Sequence, residues 1–229
     1  MTPLVISLTT IPPRFAQLPR VIAGLRAQTA CPARILLTIP RQYRRFPGSY
    51  ALPKLEGVEV LRPERDPGPI GKVSEAVHFL RGRPCHLLYC DDDWLYGPGW
   101  AQGFLDTART HPGAVIATST FNVRRLGLTG GDGARIAQGF GGVIIDPNWL
   151  GTSALTPPAS AWAVDDIWLS AQYARTGRTI IEASHLRRQV QPLADPDRLQ
   201  DAVVKGENRA DANRKMAHHL AAEYGIWGR

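Results

Sequence analysis

Three consecutive carboxylates, Asp91-Asp92-Asp93, follow directly on the apolar run His86-Leu87-Leu88-Tyr89-Cys90. Three negative charges at the end of a buried strand repel one another unless something neutralises them. A hard divalent cation, Mg²⁺ or Mn²⁺, takes oxygen ligands of this kind. In an extended segment Asp91 and Asp93 project to one side and Asp92 to the other. The competing reading is a solvated turn or a helix cap, and the strand-end position favours the metal. A second acidic pair, Asp165-Asp166, opens a helical stretch and is followed at once by Ile167-Trp168-Leu169. Acids at a helix start suit the macrodipole, but apolar neighbours would also bury them partly and raise a carboxylate pKa toward a useful range. Lys72 is one of four lysines beside 23 arginines and sits in a Gly-containing turn that opens a helix, where backbone N–H groups favour an anion. Trp162 and Trp168 are rings that stack on a sugar or pack in a core, with packing at least as well supported.

These groups require a scaffold that gathers strand ends. Short β-branched runs predict strands at Leu4 to Leu8, Ile35 to Ile39, Val58 to Leu61, His86 to Cys90, Ala114 to Thr118, Val143 to Asp146 and Thr179 to Ala183. Between them, apolar residues recur at helical spacing: Leu18, Val21, Ile22 and Leu25, then Val73, Ala76, Val77 and Leu80, then Trp100, Phe104, Leu105 and Ala108. A further helix is expected from about Asp166 to Thr176, with Gly177 as its cap, and a loop at Gly127 to Gly133. Alternating strands and helices indicate an α/β domain. In open α/β sheets ligands bind beyond the carboxyl ends of the strands, which directs attention to Ser7-Leu8-Thr9-Thr10, to Asp91-Asp92-Asp93 and to Asp165-Asp166.

The 229 residues suit one domain, and 44% hydrophobic with 21% charged residues is a globular composition. No apolar run approaches the roughly 20 residues of a membrane span, and the N-terminus lacks the basic region of a signal peptide. Three sparse cysteines, Cys31, Cys85 and Cys90, agree with a reducing compartment. A cytoplasmic protein is the expectation. The net charge of +7 and pI of about 9.7 favour an anionic partner. The arginine clusters Arg41/Arg44/Arg45, Arg124/Arg125 and Arg187/Arg188 are either solvated surface or peripheral contacts with an anionic membrane at its inner face. A nucleic-acid-binding protein is the weakest reading, since no recognition motif accompanies the charge.

The segment Leu87 to Trp100, LLYCDDDWLYGPGW, resembles the DxD region of GT-A glycosyltransferases related to family 2. Val5 to Arg14 and Asp66 to Val73 resemble the donor-site segments of that family. Gly139-Phe140-Gly141-Gly142-Val143 and Val164 to Trp168 are similar to its acceptor-side and catalytic segments. The motifs fall in order over roughly residues 4 to 185. The resemblance implies a Rossmann-like mixed sheet flanked by helices, a smaller acceptor-side sheet and a helical C-terminal tail. It divides a single domain, 1–229, into a nucleotide-sugar half at 1–118, an acceptor and catalytic half at 119–195 and a tail at 196–229. The implied reaction moves a sugar from a UDP- or GDP-sugar to a hydroxyl of a glycan or lipid-linked acceptor, with inversion, in bacterial surface polysaccharide synthesis. Asp93 and Asp91 would hold Mn²⁺ or Mg²⁺ on the donor diphosphate, with Asp91 and Asp92 at the donor. Lys72 would add a cation there, and Thr9, Thr10 and Arg14 would line the nucleotide. Asp166 would be the base, with Asp165 in reserve, while Gly141, Gly142, Trp162 and Trp168 would face the acceptor. His185 is a weaker candidate for a late metal ligand. A nucleotidyltransferase that makes sugar nucleotides is the alternative, although Thr9-Thr10-Ile11-Pro12-Pro13 lacks its Gly-rich loop.

Overall fold

A computed structural model describes residues 2–194 and 209–228. The seven predicted strands are the seven of one mixed sheet. In chain order they are β1 (Leu4–Thr9), β2 (Arg34–Thr38), β3 (Glu59–Leu61), β4 (His86–Tyr89), β6 (Val115–Ala117), β9 (Val143–Ile145) and β10 (Ile180–Glu182). Across the sheet the order is β10-β6-β9-β4-β1-β2-β3, and only β9 runs antiparallel to its neighbours. Four further strands build two small ribbons: β5 (Trp94–Tyr96) with β11 (Val190–Pro192), and β7 (Thr120–Asn122) with β8 (Arg135–Ala137). The single smaller sheet expected from the sequence is therefore two separate two-stranded ribbons.

Helices α1 (Leu18–Arg26), α2 (Gly71–Leu80), α3 (Trp100–Thr110), α4 (Asp165–Arg175) and α5 (Arg209–Tyr224) cover the sheet. Strand alternation sorts the apolar residues onto two faces. Ile6, Leu8, Leu37 and Leu88 face α1 and α3, whereas Val5, Leu36, Leu87 and Tyr89 face α2, α4 and α5. The result is a three-layer sandwich with a dry core on each side of the sheet. Among the described residues no helix is long and apolar enough to cross a membrane.

Chain direction fixes where a ligand can enter. From β1 the chain builds outward through α1 to β2 and β3, then returns by α2 to β4 on the opposite side of β1. The strand order reverses between β1 and β4, and this switch point opens a crevice at their carboxyl ends. Thr9 and Thr10 leave β1 there, and Asp91 to Asp93 leave β4 beside them.

The second half is not a separate unit, because it supplies β9 and β10 to the same sheet. Nor is the C-terminal helix a loose appendage. Met216, Ala217 and Leu220 of α5 are buried against the sheet's core, and His218 Nε2 lies 2.9 Å from the Leu126 carbonyl oxygen. The part of the expected tail around Leu199, Ala202 and Val203 lies outside the described residues.

Candidate active site

A cavity of about 530 Å³ fills the crevice. Its floor is β1 and β4, and its walls are the loop after Ile39, the turn before α2, the N-terminus of α4 and the first turn of α5. The lining brings together Thr9, Thr10, Arg14, Lys72, all three aspartates of the triplet, Asp165, Asp166 and Trp162. Apart from His185, every donor, metal and base candidate from the sequence therefore meets at one place.

The triplet follows the expected alternation. Asp92 is 2% exposed, while the side chains of Asp91 and Asp93 keep 33% and 20% exposure. Arg14, on the short turn Pro12–Arg14, reaches both Asp92 (2.5 Å) and Asp93 (3.2 Å). Burial pushes the Asp92 carboxyl up, against the opposing pull of Arg14 and the Thr10 hydroxyl. Arg14 thus holds the aspartate loop while also lining the cavity.

Lys72 is more deeply buried. Its side chain is 3% exposed, and its ammonium lies 2.6 Å from Asp91 Oδ1 and 2.8 Å from Asp165 Oδ2. Burial alone would discharge it, but Asp165 and Asp91 together hold its pKa well above the ordinary lysine value. The lysine joins the aspartate loop after β4 to the first aspartate of α4, and it lines the cavity beside them.

Asp165 and Asp166 separate into two roles. Asp165 is 2% exposed; burial pushes it up, but Lys72 outweighs this and leaves it below the usual carboxylate range. Asp166 is half-buried and lines the cavity, with Oδ1 accepting a hydrogen bond from the Gly139 N–H at 3.0 Å. Burial and the neighbouring Asp165 charge raise its pKa to about 7. The two adjacent acids, the first choice and the reserve choice for a base, are thus pushed in opposite directions.

Four other expectations are not brought to the cavity. Trp168 is 5% exposed and donates its indole N–H to the Ala154 carbonyl at 2.7 Å, so it is core. Gly141 is buried and its carbonyl accepts from Trp100 Nε1 (2.8 Å) and Thr118 Oγ1 (2.7 Å). Gly142 packs on the Trp100 ring. His185 lies in a separate surface hollow with Gln102, Leu186 and Gln189. Trp162 does reach the cavity, but it is already in use. Gly68, at φ +74°, lets it close so tightly that a Cβ there would fall 2.6 Å from the indole, and Arg44 lies 5.1 Å from its ring centroid.

The cavity also contains residues that were not among the site candidates. Tyr43 and Phe46 form an edge-to-face aromatic pair beside Arg45, and Tyr43 donates its hydroxyl proton to the Thr10 carbonyl at 3.0 Å. Phe140 stacks on Trp94 at 4.7 Å. Arg209 and Asn213 enter from α5. Their only signal in the sequence is a spacing of four on a helix. Among the described residues no group of three His, Cys, Asp or Glu side chains could hold a metal by itself. The lining nevertheless carries Asp66, Asp91, Asp92, Asp93, Asp165 and Asp166 against Arg14, Arg45, Lys72 and Arg209, an excess of acid. Comparison with protein-family models and with curated proteins finds no match to this chain.

Proposed function

We propose that the chain is a metal-dependent GT-A-type glycosyltransferase that moves a sugar from a nucleotide-sugar donor to a hydroxyl of a glycan or lipid-linked acceptor, with inversion. The observation that supports this reading is the meeting of the Asp91–Asp93 loop and Asp166 across one cavity at the switch point, cross-linked through Lys72 and Asp165. Donor diphosphate and acceptor hydroxyl call for two differently tuned acidic sites facing one cavity, and the Asp91–Asp93 loop and Asp166 are the candidates for them.

The acceptor hydroxyl gives its proton to Asp166, whose Oδ1 is fixed by Gly139 and whose pKa of about 7 suits a base near neutrality. The acceptor oxygen then bonds to the anomeric carbon as the bond to the diphosphate oxygen breaks, and the electron pair leaves with the nucleoside diphosphate. Thr9 and Thr10 border the nucleotide end, and Arg14 keeps the aspartate loop in place. Asp91 and Asp93 fit Mg²⁺ or Mn²⁺ in the shared mode, in which one or two carboxylates and substrate phosphates complete the shell. Their partial exposure and the acidic excess of the lining favour such an ion. When bound, the ion stabilises the charge that develops on the departing diphosphate. We place the enzyme in the cytoplasm, with its arginine-rich surface against an anionic membrane.

A thermal-shift screen of UDP, GDP, CMP and dTDP, each with and without Mn²⁺, tests this reading. One nucleoside diphosphate should raise the melting temperature, and more so with Mn²⁺, since saturating a site at 100 times Kd adds about 2.7 kcal/mol. No response to any of the four would count against it.

A further inference from the structure

The cavity has a cationic corner that the donor chemistry does not use. Arg14 is engaged with Asp92 and Asp93, and Lys72 with Asp91 and Asp165. Arg45 lies over the Phe46 ring, 5.2 Å from its centroid. Arg209 differs from these three. It is the first residue of α5, it lines the cavity, and among the described residues its guanidinium makes no ion pair or hydrogen bond. Its charge is nevertheless felt by both Asp165 and Asp166, so it stands on the base side of the cavity.

Asn213 follows four residues later and lines the same cavity. Residues at i and i+4 share a helix face, and the small Ala210 beside them leaves that face open. The amide adds two donors and an acceptor to the five donors of the guanidinium. The helix that presents them is fixed in place by Met216, Ala217 and Leu220. A guanidinium fork on a rigid element is the usual match for a carboxylate or phosphate, which it grips through two parallel N–H bonds.

We infer that Arg209 and Asn213 form an anion subsite for the acceptor, so that the preferred acceptor carries a carboxylate or phosphate close to the hydroxyl that Asp166 deprotonates. This rests on the glycosyl-transfer reading, in which the donor diphosphate is held by the Asp91–Asp93 loop. The subsite would orient the acceptor by its charge and leave the neutral hydroxyl to the base.

The test uses the full chain at constant ionic strength, with and without the nucleotide that stabilises it. Methyl β-glucuronide, glucose 6-phosphate and methyl β-glucoside are titrated by calorimetry. At least one charged sugar should bind about tenfold or more tightly than the neutral glucoside, and the stronger of the two identifies carboxylate or phosphate as the natural group. Arg209→Gln should abolish the preference while leaving nucleotide and glucoside affinities unchanged. Arg209→Lys, which keeps charge but loses the fork, should retain part of it, and it serves also if the Gln variant does not fold. Equal binding of charged and neutral sugars, no binding of either charged sugar, or a preference that survives in Arg209→Gln or stays undiminished in Arg209→Lys would overturn the inference. A variant that loses nucleotide affinity instead would move Arg209 to the donor site and overturn it too. Failure of every nucleotide to bind would fall on glycosyl transfer itself, while the titrations without nucleotide still read the charge preference at Arg209.

Discussion

Lys72 Nζ lies 2.8 Å from Asp165 Oδ2, and this contact ties the start of α2 to the start of α4 at the floor of the cavity. The same ammonium holds Asp91 at 2.6 Å. One buried cation therefore sets the spacing between the end of β4, which leads into Asp91 to Asp93, and the helix that carries Asp166.

Removing that cation leaves two carboxylates facing each other with little water. Lys72→Met should destabilise the protein by about 3–5 kcal/mol, the range for breaking a buried ion pair from one side. Denaturant unfolding checks this. A loss below 1 kcal/mol would mean that the ammonium is not the cross-link described.

Gly139 packs against this cluster so closely that a Cβ would fall 2.8 Å from Lys72 Nζ and 3.3 Å from Asp166 Oδ1. Lys72 cannot swing away without abandoning both acids. Gly139→Ala should therefore cost about 1–3 kcal/mol by overpacking and lower turnover by displacing Asp166. Unchanged stability and turnover would show that the cluster yields easily.

The raised pKa of Asp166 carries a sign that stability measurements can read. Its carboxyl titrates at about 7 in the folded state against 3.8 in the unfolded chain. Between those values the folded state keeps a proton that the unfolded state has lost, so this group's contribution to stability falls as pH rises through the window. Asp166→Asn should melt like the parent near pH 4 and above it at pH 8, by about 2–4 °C for each kcal/mol of relief. Turnover moves the other way: only the ionised base is active, so kcat/KM should climb as pH passes about 7. A variant less stable than the parent at pH 8 would contradict the assigned shift.

Asp93→Ala removes one of the two partly exposed carboxylates proposed to share a metal with the donor. It should remove the Mn²⁺-enhanced part of nucleoside diphosphate affinity while the metal-free affinity stays. Calorimetry with Mn²⁺ and with EDTA measures both, and an unchanged Mn²⁺ increment would exclude Asp93 as a ligand.

Much of this site was legible because its acids are adjacent in sequence. Asp91-Asp92-Asp93 and Asp165-Asp166 stand out at element ends, and the seven strands of the large sheet announce themselves through β-branched runs. The ribbon strands β5, β7, β8 and β11 carry no β-branched run, and tertiary pairing alone defines them. Lys72 was noticed for its rarity and helix-opening position, but nothing local shows that two acids from distant segments converge on it. Trp168 takes the packing role, one of the two open to it in the sequence, because α4 is buried around most of its circumference, from Ile167 to Tyr173. Arg209 and Asn213 were missed because their segment has no motif, and only the docking of α5 on α4 brings them to the cavity.

The most direct test of glycosyl transfer with Asp166 as base is turnover of the cognate sugar nucleotide by Asp166→Asn, measured beside its donor affinity. Asn keeps the size of the side chain and the oxygen that accepts from the Gly139 N–H, but it cannot take a proton from the acceptor. The expected result is a rate lower by about 10²–10⁴-fold, with donor affinity within a factor of about two, because the proposed diphosphate site is the Asp91–Asp93 loop and not Asp166. Near-normal turnover in Asp166→Asn would contradict the account, and so would an equal loss of donor binding and rate.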